Sequence, residues 1–249
     1  MRGDSKSPVF SLIIPARNEE KLLPRLLDTI DTARFNFHRG PEAVEIVVAN
    51  NASTDSTAET AALRGCRTVD VAERKIASVR NGGAALARGQ ILTFVDADMQ
   101  IHPATFDAIE DALATGRYVA GATGVTLERW SLGIALTFAF MVPWVWMLRM
   151  DTGVVFCTKD DFTAIGGYDE RRSYGEDVQF LHDLRRLGRP RGQRLARVTT
   201  AKAISSTRKF DTFGEWHYFR LIFRLLGPMF RSPFTRTDLV RKYWYSDDR

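Results

Sequence analysis

The sequence predicts a single α/β domain: a mostly parallel central sheet with helices on both faces. Three observations carry that expectation. Short β-rich runs alternate with helical patterns in the first half of the chain, those runs are almost wholly apolar, and no repeat or low-complexity linker divides the 249 residues. Alternation of this kind implies crossover connections, and a strand covered on both sides loses the polar positions of a half-exposed one. The length allows one substantial core.

The elements follow in order. Val9 to Ile14 reads as a buried strand ending at Pro15, and Leu22, Leu23, Leu26, Leu27 and Ile30 then recur at helical spacing. Val44 to Ala49 is a second strand. The polar stretch Asn50 to Thr57 supplies helix caps, and a short Ala-rich helix follows. Thr68 to Val71 is a third, weaker strand. Ser78 to Arg88 reads as a helix stopped at Gly89, and Ile91 to Val95 as another fully apolar strand. Pro103 opens a further helix. Sheets of this class bind ligands at the carboxyl ends of their strands, which selects the residues after Ile14, Ala49 and Val95.

Bulk properties narrow the partners. Hydrophobic residues make up 45% and charged residues 26%, a globular composition, and the net charge of +5 favours anionic partners. Nucleotides and acidic lipid head groups both qualify. Nucleic acid is disfavoured because no recognition motif accompanies the charge. Cys66 and Cys157 stand in no metal-binding spacing, which argues against a zinc site or disulfide scaffold and fits a reducing compartment. Met1 to Pro8 lacks the apolar core of a signal peptide, so a cytoplasmic location is expected.

The selected strand ends carry Pro15-Ala16-Arg17-Asn18-Glu19, Asn50-Asn51-Ala52-Ser53-Thr54-Asp55 and Asp96-Ala97-Asp98. Two carboxylates one residue apart can face one cavity where the chain turns. Such oxygen ligands suit Mg2+ or Mn2+, with substrate phosphates completing the shell. Taken alone, the triplet is better explained as a solvated pair capping the next helix.

Its company changes that balance. Arg80-Asn81-Gly82-Gly83 is followed by Ala87-Arg88-Gly89, and later come Gly166-Gly167-Tyr168-Asp169-Glu170, Gly175-Glu176-Asp177, Arg186 and Gly188. Together with the strand ends, this ordered set resembles an inverting family-two glycosyltransferase with the Rossmann-like GT-A fold, over about residues 10 to 190. Each motif is weak alone; order and spacing make the set specific.

The resemblance implies roles. Pro15, Ala16, Arg17 and Glu19 lie under the nucleotide, although Asn18 and Glu19 also suit a helix N-terminus. Asn51 stands where the family usually has a base-reading Asp. An amide oxygen also accepts a ring N–H, without the charge, so the donor stays open between UDP- and GDP-sugars. Arg80, with Lys75 upstream, neutralises phosphate or contacts the base; a solvated helix face is the plainer reading. Asp98 is the direct ligand of the metal, and Asp96 contacts ribose or the ion's water shell. Ala97 lies between them. The ion steadies the departing diphosphate.

Asp177 occupies the position of the general base that takes the acceptor's hydroxyl proton, with Glu176 in reserve. Both residues also fit a helix start, because Val178, Leu181, Leu184 and Leu187 form a buried stripe. Ser205 to Phe210 gathers hydroxyls and cations; the loop can close over the diphosphate through Arg208, and a solvated basic loop is an equal alternative. The four histidines form no motif.

The implied boundaries are a GT-A domain over 1–210 and a basic amphipathic extension over 211–249. Within the domain, about 8–100 binds nucleotide and about 101–210 serves the acceptor and catalysis. Trp130 to Leu148 has no charged residue and approaches the ~20 apolar residues of a membrane span. A single crossing would separate Asp98 from Asp177, so the run is read as a core helix, an interfacial segment or an acceptor groove. Phe219 to Phe234 mixes apolar residues with Arg220, Arg224 and Arg231. Such a helix either packs onto its own domain or lies on an anionic membrane, and peripheral association with the inner face, with a lipid-linked acceptor, is the expectation. A nucleotidyltransferase is the rival enzyme, but it needs a Gly-rich basic loop after the first strand. A degenerate nucleotide-sugar-binding protein is the rival without transfer.

Overall fold

The computed structural model describes residues 7–136, 139, 153–172, 175–208 and 214. Most of the Trp130 to Leu148 run, and all of the 211–249 extension except Gly214, lie outside the described residues.

Strand β1 (Phe10–Ala16) lies parallel between β2 (Val44–Asn50) and β4 (Ile91–Phe94), and β3 (Arg67–Asp70) adds to β2. With β5 (Met99–Gln100), β6 (Tyr118–Leu127), β7 (Val155–Thr158) and β8 (Arg194–Ser205) they make an eight-stranded sheet, ordered β3-β2-β1-β4-β7-β6-β8-β5. The half built by the early alternation is wholly parallel. The other half is mixed: β7 runs antiparallel to β4 and β6, β5 runs antiparallel to β8, and β6 and β8 are parallel.

The first strand is longer than its sequence pattern implies. Pro15 reads as the end of β1, yet the strand continues to Ala16. The carbonyl of Ile13 accepts from Val95 N, so residues 13 and 15 face β4, and β4 pairs only as far as Ile13. Pro15 therefore lacks its donor where no ladder partner waits.

Alternate side chains of β1 feed opposite layers, as the period of a strand requires. Phe10, Leu12 and Ile14 pack into a core with α1 (Leu23–Asn36) and α4 (Thr105–Ala114). Ile13 joins the opposite core with α3 (Ile76–Leu86) and α6 (Glu176–Gly188), which supplies Phe180, Leu181 and Leu184. Two short helices, α2 (Thr57–Leu63) and α5 (Lys159–Ala164), complete the cover.

Helix α3 begins two residues earlier than the expected Ser78 and ends before Gly89, which serves a different purpose. A Cβ on Gly89 would fall 2.5 Å from both Phe10 C and Ser11 N, and its N–H donates to Ser11 Oγ at 2.7 Å. Gly83 likewise lets α3 lie close on the sheet, since a Cβ there would be 2.5 Å from Ile13 Cγ2. Backbone yields less readily than a side chain. Gly89→Ala is therefore expected to destabilise the fold by about 1–3 kcal/mol, read as a lower urea midpoint at unchanged slope.

Candidate functional site

The loops after β1 and β2 are joined by side chains rather than by a ladder. Ser53 Oγ accepts from Asn18 N at 3.1 Å, Asn18 Oδ1 accepts from Thr54 N at 2.9 Å, and Thr57 Oγ1 accepts from Glu19 N at 2.8 Å. Asn18 and Ala52 take positive φ values of 52° and 50° to make these turns. Asp55 accepts from Glu20 N and Thr57 N. Burial opposes its charge, but the Thr57 hydroxyl and these N–H groups outweigh burial and hold its carboxyl below the ordinary range. Much of the Asn-Ala-Ser-Thr-Asp motif thus ties the loops after β1 and β2 together.

Asn51 is buried, and its Nδ2 donates to the carbonyls of Val71 and Glu73, both at 2.8 Å. That commitment fixes the amide with Oδ1 as its remaining acceptor. Pro15 and Ala16 are buried in β1, and Arg17 is half-buried just beyond it.

At the end of β4, Asp96 is exposed, Ala97 is buried and Asp98 is half-buried. The pairing of Met99 with Ser205 brings the end of β8 alongside, and Asp98 O accepts from Ser206 N at 3.3 Å. Arg208 consequently reaches Glu19 with both guanidinium nitrogens, at 2.9 and 3.1 Å, and stands 3.9 Å from Asp98 Oδ2. A groove of about 470 Å³ opens beside it, lined by Leu22, Arg25, Glu128, Arg129, Ser206 and Thr207.

Arg80 does not lie on a solvated helix face. Its side chain is 5% exposed, and α3 carries it between Asp96 at the end of β4 and Asp177 at the start of α6. Nη2 donates to Asp96 Oδ1 at 2.9 Å; Nη1 donates to Asp177 Oδ1 at 2.7 Å and to Glu176 Oε1 at 3.1 Å. The guanidinium sits over the Tyr168 ring, 5.2 Å from its centroid, and the Tyr168 hydroxyl donates to Asp177 Oδ1 at 3.3 Å. Burial opposes the Arg80 charge, but Asp177, Asp96 and Glu176 hold it, and its pKa rises. Burial pushes Asp177 up to about 6: Arg80 pulls it down, while Glu176 and Asp96 push it up.

Tyr168 is positioned from both sides. Its ring stacks on Phe180 at 4.0 Å and meets Phe94 edge-on at 5.2 Å. Asn81 Oδ1 accepts from Tyr168 N at 2.9 Å, and Asn81 Nδ2 donates to Tyr168 O at 2.9 Å. Gly167 has φ 74°, and a Cβ there would fall 2.7 Å from Asn81 Oδ1. Lys75 does not join the carboxylates; its Nζ donates to Glu170 O at 3.0 Å and braces this same loop. The sequence pattern assigns no role to Asn81 or Tyr168. Their presence in the Arg-Asn-Gly-Gly and Gly-Gly-Tyr motifs is the one signal that could have singled them out.

Among the described residues no group of three or more His, Cys, Asp or Glu side chains gathers to hold a metal, and no helix is long and apolar enough to cross a membrane.

Comparison with known proteins gives the family and the fold. The family model described as Glycosyl transferase family 2 matches residues 11–167, more than half of the chain. Over 106 residues the chain is 35% identical to a validoxylamine A glucosyltransferase of Streptomyces hygroscopicus subsp. limoneus, a stretch that is 40% of this chain and 22% of that relative. The chain thus matches only about a fifth of that relative's length. A mannosyltransferase from Pyrobaculum calidifontis, solved with GDP-Man and Mn2+, matches with TM-score 0.63 and 18% identity, covering 80% of this chain and 57% of that one. Glucosyl-3-phosphoglycerate synthase from Mycobacterium tuberculosis, solved with Mn2+, UDP and phosphoglyceric acid, matches with TM-score 0.59 and 20% identity, covering 90% and 78%. At these identities the solved structures establish the likeness of fold.

Proposed function

The chain belongs to glycosyl transferase family 2, and from that membership we propose that it moves a sugar from a nucleotide-diphosphate donor to an acceptor hydroxyl with inversion. The observation that carries the proposal is the meeting of Asp96 and Asp177 on one buried guanidinium, Arg80. Residues distant in sequence bring the strand end after β4 and the raised Asp177 carboxylate to one place.

Pro15, Ala16, Arg17 and Glu19 support the nucleotide, and Asn51 Oδ1 accepts from a ring N–H, which uracil and guanine both offer. Asp96 faces the ribose. A hard divalent ion, Mg2+ or Mn2+, fits Asp98: its carboxylate supplies oxygen, and such ions commonly take one or two protein carboxylates with substrate phosphates instead of an all-protein cage. When bound, the ion neutralises charge on the leaving diphosphate. Arg208 adds a cation on the same side. Asp177 takes the proton of the acceptor hydroxyl as that oxygen bonds to the anomeric carbon, while the nucleotide diphosphate leaves from the opposite face with the bond electrons.

We assign residues of about 8–100 to the donor and about 101–210 to the acceptor and base, with 211–249 as the extension. The deciding experiment screens UDP-, GDP- and dTDP-sugars, with Mn2+ or Mg2+, for binding, hydrolysis and transfer. Metal-dependent binding of none of them would refute the reading; binding without turnover would point to a degenerate binding protein.

The basic Phe219 to Phe234 segment supports a peripheral site on the cytoplasmic face of an anionic membrane, with a lipid-linked acceptor. The protein is expected to float with phosphatidylglycerol-containing liposomes at low salt and to be released at high salt. Failure to float at low salt would end that part of the proposal.

A further inference from the structure

We propose that Arg80 is a positioning residue that, with Tyr168, clamps one oxygen of Asp177 and leaves the other, Oδ2, to receive the acceptor proton. The inference rests on the reading of Asp177 as the base and adds which oxygen works and what aims it.

Two donors to Asp177 converge on the same atom. Arg80 Nη1 and the Tyr168 hydroxyl both donate to Oδ1, at 2.7 and 3.3 Å. Among the described residues no donor reaches Oδ2. A carboxylate has lone pairs on both oxygens, so a pair of donors on one of them fixes the rotation of the group and aims the other. The clamp is itself immobilised. Arg80 is buried, its second nitrogen is held by Asp96, and Tyr168 stacks on Phe180 beneath it. The planar fork fixes the spacing between the Asp96 and Asp177 carboxylates, which a single ammonium cannot do.

The charged surroundings match this role. Asp177 faces Arg80 from α3, Asp96 from the end of β4, Glu176 from its own helix and Tyr168 from the preceding loop, with Cys157 of β7 behind Tyr168. Three carboxylates share one buried cation. The base consequently keeps enough proton affinity to take a proton, while Arg80 keeps it ionised at neutral pH.

The test compares wild type with Arg80→Lys and Tyr168→Phe, using Asp177→Asn as the control. The readouts are kcat, KM, donor Kd and the pH profile of kcat. Arg80→Lys is expected to lower kcat at least tenfold and to move the acid limb up by about one pH unit, because a single ammonium replaces the fork. Tyr168→Phe is expected to lower kcat a few-fold and to move the limb up by a smaller amount, with donor Kd unchanged. A weaker donor Kd in Arg80→Lys with kcat and the limb at wild-type values would assign Arg80 to the donor phosphate and overturn the inference. Should Arg80→Lys fail to fold by circular dichroism, Tyr168→Phe decides: an unmoved kcat and limb overturns the clamp. If Asp177→Asn transfers sugar normally, the base assignment itself falls. If Asp177→Asn is inactive while both other variants match wild type, only the clamp falls.

Discussion

Asp177→Asn is expected to reduce transfer by about 10²–10⁴-fold while donor binding stays close to wild type. The substitution keeps the shape of the side chain and its contact with Tyr168 but removes the capacity to take a proton. Single-turnover transfer and calorimetric donor binding separate the two effects. Loss of both together would mean that Asp177 serves the donor site and not the base. In wild type, the rate is expected to fall about tenfold per pH unit below the Asp177 pKa, because only the ionised carboxylate accepts the proton. That limb should lie near pH 6, since burial pushes Asp177 to about 6.

The same shift has a consequence for stability. The folded value of about 6 lies above the ordinary 3.8, so the folded chain binds this proton more tightly than the unfolded chain does. Stability from this group is present below 3.8 and is lost as the pH rises through about 6. Above that window Asp177→Asn is expected to melt no lower than wild type, and its relative advantage should shrink as the pH falls through it. Thermal melts across the window check the sign.

The second large effect is expected at Asp98. Asp98→Ala should weaken donor binding by about 10²-fold in the presence of Mn2+, a difference of a few kcal/mol, and should leave the weaker metal-free binding nearly unchanged. Arg208 is expected to keep its paired contacts to Glu19 in this variant, so the segment Ser206 to Arg208 stays anchored. Titrations with and without metal distinguish a lost ion ligand from a general collapse of the site. An equal loss in both conditions would remove Asp98 as the metal ligand.

Much of the strand-end constellation after β1, β2 and β4 is legible in the amino-acid sequence. The strands bearing Ile14, Ala49 and Val95 are apolar, local and evenly spaced, so their periodicity and their polar ends can be read directly. The proline in β1 misleads the strand boundary because a linear pattern cannot show that β4 stops pairing at Ile13. Gly89 reads locally as a helix stop; only the approach of Phe10 and Ser11 reveals that it makes room for backbone. The antiparallel entry of β7 is likewise hidden, since strand direction depends on where the chain returns after β6 and not on the residues of β7 themselves.

By itself the sequence determined the α/β class, the strand-end segments, the Asp96-Ala97-Asp98 triplet and the place of Asp177 at a helix start, because each is a local pattern written in consecutive residues. Tertiary structure alone decided what those groups touch. It drew Arg80 out of solvent and onto Asp96, Glu176 and Asp177, turned Lys75 toward a loop carbonyl, brought Arg208 to Glu19 and gave Tyr168 its hydroxyl contact. The physical reason is range. Propensity and periodicity act over a few residues, whereas the burial and charge pairing that set Arg80 and Asp177 act between elements that meet only when the sheet is assembled.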